Sequence, residues 1–208
     1  MDNLRIFNST ADYSGATLSR PAVSLISTTG EIKFDPDIFN GIVRVYYNIS
    51  DATQEVVLFN GGGSGSESAS ESASQSGGGA AAPTAIWIDG VAQTAITSTY
   101  RFSSNGLHYA DFDFDGAVAI PGGMWFDNPL VVKAVVKENV DNIGGQAFNH
   151  CANLSVLIIK AAIPPSLDNG AEFIGTSENL VIYVPAASVN TYKTNLPWSH
   201  YSNNIQAM

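Results

Sequence analysis

The chain has 208 residues, 45% of them apolar and only 13% charged, with a net charge of −10. That length suits one large domain or two small ones, with enough apolar material to bury a core. So acidic a surface repels phosphate backbones, which argues against nucleic acid as a partner. The single cysteine, Cys151, excludes an internal disulfide framework and a cysteine-based zinc cluster.

No run of about 18 apolar residues is present, so membrane insertion is not expected. The opening "MDNLRIFNSTADYSG" has no basic n-region, no apolar h-region and no nearby Cys to carry a lipid. The expectation is a chain made and left in a cytoplasm, or released by lysis.

Residues 1–40 contain two short apolar runs, Val23–Ile26 and Ile32–Phe34, around a Thr-Thr-Gly turn. The segment is too small to bury a core alone. It reads as an extended arm that lies against something else, with Val23, Leu25, Ile26, Ile32 and Phe34 as its docking residues.

From residue 41, "GIVRVYYNISDATQEVVLF" alternates. Val43, Val45, Tyr47 and Ile49 share one face, and Ile42, Arg44, Tyr46 and Asn48 the other. An Asp-Ala-Thr turn and the run Val56–Phe59 follow, which predicts a hairpin. Residues 61–82, "GGGSGSESASESASQSGGGAAA", are low in complexity and carry no core-forming side chain. As a free coil their ends would sit about 25 Å apart. The β pattern resumes in "TAIWIDG", "TSTYRFSSNG" and "LHYADFDFDG", at the spacing of a small antiparallel, Ig-like sandwich. The Gly/Ser tract is then a long loop within residues 41–116.

Residues 117–208 repeat. "IPGGMWFDNPLVVKAVVKENVDN", "IGGQAFNHCANLSVLIIKAAIPPS" and "AEFIGTSENLVIYVPAASV" each have a glycine near the entry, a Phe (Phe126, Phe148, Phe173), a Leu (Leu130, Leu154, Leu180) and an apolar strand. A period of about 23 is that of a leucine-rich solenoid, whose turns must stack to close their apolar faces. Phe148, Cys151 and Leu154 are expected to face inward, followed by Val156 and Ile158. The closing "YKTNLPWSHYSNNIQAM" supplies Tyr192, Trp198, Tyr201 and Ile205 as an aromatic cap. The predicted fold is mainly β: an arm (1–40), a small sandwich (41–116), and a short leucine-rich-repeat solenoid with cap (117–208).

Chemistry-bearing patterns are few. His150-Cys151 is the one Cys-His neighbour pair, but neighbours on a convex segment point apart, and a small apolar Cys in a repeat core is the simpler reading. "DFDFDG" opens like a calcium loop, with Asp111, Asp113 and Asp115 as a weak cation-binding candidate. The twelfth position, which should be a bidentate Glu, is Gly122. The competing reading is a strand with those three carboxylates on one face. His108, His150 and His200 show no metal spacing. Exposed aromatics stack on sugar faces, and Trp87, Tyr100 and Trp125 are candidate glycan contacts, with core packing as the alternative. No cofactor is expected.

The residues Gly144, Ala147, Phe148, Cys151 and Leu154 match a repeat of the form Ile-Gly-x-x-Ala-Phe-x-x-Cys-x-x-Leu. Pro164, Pro165, Tyr183, Val184, Pro185, Ser188, Val189, Tyr192, Lys193, Trp198 and Tyr201 match the terminal turn that accompanies it. This part of the chain resembles the BspA-type leucine-rich repeats of Bacteroidetes surface proteins. The region "IWIDGVAQTAITSTYRFSSNGLHYADFDF" resembles the small β-domain that often precedes them. "RPAVSLISTTGEIKF" resembles the opening of structural proteins of phages and prophages of gut Bacteroidales, including crAss-like phages.

The repeats are few and no export signal is seen, both unlike the cell-surface members. The resemblance therefore implies a bacteriophage virion structural protein: a head fibre, tail fibre or capsid decoration subunit, not an enzyme. Its partners would be other capsid or tail proteins, further copies of itself (a trimer being the common fibre state) and host surface glycans. The alternative is a BspA-like adhesin or carbohydrate-binding module on a bacterial cell surface. A glycan-active enzyme would need paired carboxylates about 5–10 Å apart, and Asp111, Asp113 and Asp115 on one strand make a poor cleft.

Overall fold

The computed structural model describes residues 39–60, 82–168 and 170–208. The docking residues Val23, Leu25, Ile26, Ile32 and Phe34, and the Gly/Ser tract up to residue 81, lie outside them.

The described residues are mainly β, organised around one mixed eight-stranded sheet. Its centre is β1, Val43–Ile49. Val43, Val45 and Tyr47 are fully buried, as the alternation requires, and Ile49 nearly so. The hairpin predicted with residues 56–59 does not form. Both edges of β1 are taken by longer partners: β6 (Gly106–Asp113) and β8 (Val131–Val136), each antiparallel to it. The two-residue strand β2 (Val56–Val57) instead pairs with β5 (Thr99–Tyr100) as a separate ribbon.

Beyond β6 lie β3 (Ala85–Ile88) and β4 (Val91–Ala92). Asp89 and Gly90 join them, both at positive φ (48° and 81°), as a two-residue hairpin turn requires. The ribbon's flanks face the inner side of this sheet: Phe59 packs edge-on to Phe112, and Phe102 lies against Tyr47.

On the other side of β8 the sheet continues with β10 (Val156–Ile159), β12 (Val181–Val184) and β13 (Ile205–Ala207), all parallel to β8. A second sheet is built from the parallel two-residue strands β7 (Ala119–Ile120), β9 (Asn142–Ile143) and β11 (Ser166–Leu167). Each turn of chain thus contributes one strand to each sheet. Lys133 pairs with Val156 and Val156 with Val181, which keeps the period near the predicted 23 residues. Entry glycines allow the turns to approach: a Cβ on Gly144 would sit 2.3 Å from the backbone nitrogen of Gly122.

Between the two sheets runs a ladder of rings. Trp125 stacks on Phe148 with centroids 4.8 Å apart, Phe148 on Phe173 at 6.0 Å, and Phe173 meets Trp198 at 5.8 Å. Two features of the predicted repeat core are corrected here. In the first turn Trp125 and Val131, both fully buried, fill the inward positions, while Phe126 and Leu130 are only half-buried. In β10 the inward residues are Leu157 and Ile159, not Val156 and Ile158, because Ser155 shifts the strand's parity relative to Leu154. Phe148, Cys151, Leu154, Phe173, Leu180 and Trp198 lie in the core as expected.

The last turn is closed by the short helix α1 (Val189–Thr194) and a 3₁₀ turn at Trp198–Tyr201. Tyr192 donates its hydroxyl to the carbonyl of Ala161 and Trp198 its indole N–H to that of Pro165, so both large rings are buried with their polar atoms satisfied. Tyr201 does the same at Gly170.

The sheet has a polarity. Val43, at the start of β1, pairs with Val136, at the end of β8, and β13 runs parallel to β8. Chain entry at Phe39 and the last strand's end at Ala207 therefore share one end of the sheet. The starts of β8, β10 and β12 lie at the other.

Candidate functional site

Cys151 sits inside the stack. It is fully buried and its Sγ donates to the carbonyl of Trp125 at 2.9 Å. Burial pushes the thiol up to about 12. His150 takes a left-handed conformation (φ 59°), so its ring turns outward, to the side chain of Asn149 and the ring of Phe126. The two neighbours point apart, and the geometry does not suit a thiolate nucleophile.

Asp111, Asp113 and Asp115 are not brought together. Asp111 is fully buried and pairs with Arg44, Oδ1 to Nε at 2.6 Å and Oδ2 to Nη2 at 2.9 Å, with a further bond from the Asn40 amide. Burial pushes its carboxyl up, against the pull of Arg44. Asp113 is half-buried and accepts from the Phe114 amide. Asp115 has left the strand into a left-handed turn (φ 55°) and is exposed. Among the described residues no group of three or more His, Cys, Asp or Glu side chains is placed to hold a metal ion. The cation-site candidate is corrected accordingly: strand spacing separates the carboxylates, and Arg44 occupies the innermost one.

The glycan candidates separate too. Trp125 is fully buried, its indole N–H donating to the Tyr47 hydroxyl, which in turn donates to the carbonyl of Leu58. It belongs to the core, and its candidacy as a surface contact is withdrawn. Tyr100 is half-buried, edge-on to Phe102 at 5.0 Å. Trp87 is half-buried on β3, opposite Asp111. It shares the outer sheet face with a cation–aromatic array: the Arg44 guanidinium lies 4.0 Å from the Tyr109 ring centroid and the Lys133 ammonium 4.8 Å from that of Tyr46.

Two concavities stand out. A groove of about 700 Å³ runs past the ends of β8 and β10 to the cap. The most exposed large apolar side chains among the described residues, Ile163 (82%) and Leu196 (75%), stand on it, with Glu138, Asp141 and Lys160 around them. A smaller cleft of about 280 Å³ lies where the ribbon meets the first stacked turn, lined by Glu55, Val56, Asn60, Phe126, Asp127 and Leu130 among others. Sequence reasoning missed this cleft because it assigned Phe126 and Leu130 to the core. The adjacent rings Trp125-Phe126 left two phases open, and the larger ring takes the ladder.

The chain matches no known family model, and a search of curated proteins finds no relative.

Proposed function

We propose that this chain is a structural protein of a bacteriophage virion: a fibre, spike or decoration subunit of head or tail. On this reading residues 117–208 form a short leucine-rich-repeat solenoid of the BspA type with its C-terminal cap, and residues 41–116 an Ig-like β-domain. The arm ahead of Phe39 docks on capsid or tail proteins, and copies of the chain associate into a closed oligomer, most simply a trimer.

The observation that carries the proposal is the joining of the two regions. β1 and β8 pair edge to edge, so antiparallel and stacked strands form a single sheet over a single core. A body of that kind is stiff and presents wide surfaces, which suits an appendage that docks at one end and displays the other. The stacked turns' likeness to the repeats of bacterial surface proteins favours a second reading, an adhesin or carbohydrate-binding module on a cell surface.

Light scattering after size exclusion tests the first reading, on the full chain and on a version lacking residues 1–38. Phe39 and Asn40 are kept because they contact Arg44 and Asp111. A stable trimer that is lost on truncation supports a virion appendage assembled through its arm. A monomer in both overturns the self-assembling fibre and leaves a decoration subunit or the adhesin.

A further inference from the structure

We infer that the cleft between the ribbon and the first stacked turn is a binding site for one neutral sugar unit, with Phe126 as its stacking surface and Asp127 and Glu55 as its hydrogen-bond acceptors. This deepens the reading of the chain as an attachment protein and rests on it.

The amide of Asp127 donates to the carbonyl of Asn149, and that of His150 to the carbonyl of Ile174, which puts Asp127, His150 and Gly175 at equivalent positions in successive turns. All three have positive φ (54°, 59° and 72°). The preceding residues, Phe126, Asn149 and Ile174, are equivalent as well. Stacking therefore demands a left-handed corner in each turn, but it does not demand an aromatic followed by a carboxylate. That pair is peculiar to the first turn, the one turn that faces the ribbon.

Phe126 is half-buried and lines the cleft, with His150 roughly perpendicular to it at 5.8 Å between ring centroids. The Asp127 carboxylate accepts no hydrogen bond among the described residues. Glu55 uses Oε1 to accept from the Thr99 hydroxyl at 2.7 Å. Asn60 and Asn128 are spent on the backbone carbonyls of Phe126 and Val57. The cleft thus presents an aromatic ring and the aliphatic walls Val56 and Leu130 beside oxygen acceptors. A sugar ring has the complementary make-up: an apolar C–H face and a rim of hydroxyl donors. Two carboxylates on a chain of net charge −10 disfavour anionic sugars. At about 280 Å³ the cleft is near the lower limit for small-molecule sites, which fits a single ring.

Residues 126–130 lead into the start of β8, the end of the sheet opposite the chain's entry at Phe39. Attachment to a particle through the arm leaves this end outermost. In an oligomer, several weak single-sugar sites would act together.

The test is a titration of the full-length protein, followed by backbone amide NMR. The probes are the methyl glycosides of mannose, galactose and fucose, with methyl sialoside and Nα-acetyl-lysine methylamide as contrasts. The expected result is that a neutral glycoside shifts the amides of Glu55, Phe126 and Asp127. Asp127→Asn should weaken that binding by about tenfold, and Phe126→Leu, which keeps an apolar side chain in place, by a similar factor. The inference is overturned if no neutral glycoside shifts these amides, if only the lysine amide or the sialoside does, or if both variants bind as the parent does. Loss of sugar binding with the trimer intact rejects the site alone. A monomer that still binds the glycoside rejects the fibre reading and keeps the site.

Discussion

The two halves of the sheet reach the same burial by different means. In the antiparallel half, β1 and β6 bury large side chains inward, while on the outer face a charged pair, Arg44 and Asp111, is held almost without solvent contact. In the stacked half the core is a column of rings and aliphatic side chains, with polar atoms of Tyr192, Trp198 and Cys151 each directed to a backbone carbonyl. An antiparallel sheet can carry side-chain pairs specific to one position, because each strand meets different neighbours. A stack must offer every turn nearly the same surface, so its specificity lies in backbone approach and ring-on-ring register.

This contrast can be broken from either side. The largest effects are expected where one region's device is removed. Arg44→Ala leaves Asp111 buried without its guanidinium and should cost about 3–5 kcal/mol by urea denaturation. The double change Arg44→Met, Asp111→Leu should recover most of it, and failure to recover would mean the pair does more than satisfy itself. Trp198→Ala opens the cap and should cost a similar 3–5 kcal/mol. Because the core is continuous, both should shift one shared transition, seen alike by fluorescence and far-ultraviolet circular dichroism. Two separated transitions would divide the sheet at β1–β8.

Next in size, Gly144→Ala drives a methyl into the backbone of Gly122 and should cost about 1–3 kcal/mol. Gly106→Ala, where no atom lies within 4 Å of the added carbon, tests backbone conformation alone (φ 120°).

A smaller effect concerns pH. The Cys151 thiol is raised in the folded state, so the unfolded chain loses this proton first, near the ordinary value of about 8.5. The thiol's contribution is therefore complete below that pH and declines by about 1.4 kcal/mol per unit as pH rises toward 12. The stability difference between the parent and Cys151→Ala should shrink accordingly between pH 8.5 and 10 in urea titrations. A constant difference would mean that the thiol is not desolvated. The smallest effect is expected for Leu196→Ser, at an exposed site, within about 0.5 kcal/mol of the parent.

Much of the fold was legible in the sequence where its pattern was strong. The alternation of Val43, Val45, Tyr47 and Ile49, the 23-residue period and the aromatic cap all follow from side-chain periodicity. The partners of β1 were not legible, because pairing between distant strands leaves no local trace. Neither was the phase of the first turn, since Trp125-Phe126 and Leu130-Val131 each offer two apolar residues to one inward position. The candidate cleft was hidden by that same ambiguity: once Phe126 is placed in the core, nothing is left to mark the surface. Asp111 illustrates the opposite error, a motif-like carboxylate whose partner, Arg44, lies on another strand.

The polarity of the sheet bears on how the protein could be labelled or engineered. Four strand spacings separate β1 from β13, which sets the start of β1 and the end of β13 about 19 Å apart at the same end of the sheet. A reporter fused after Met208 would therefore sit beside the chain's entry at Phe39. The turn at Asp51–Gln54, following β1, lies at the opposite end of the sheet with Asp51, Thr53 and Gln54 exposed, and is the better graft point for a dye, an epitope or a peptide.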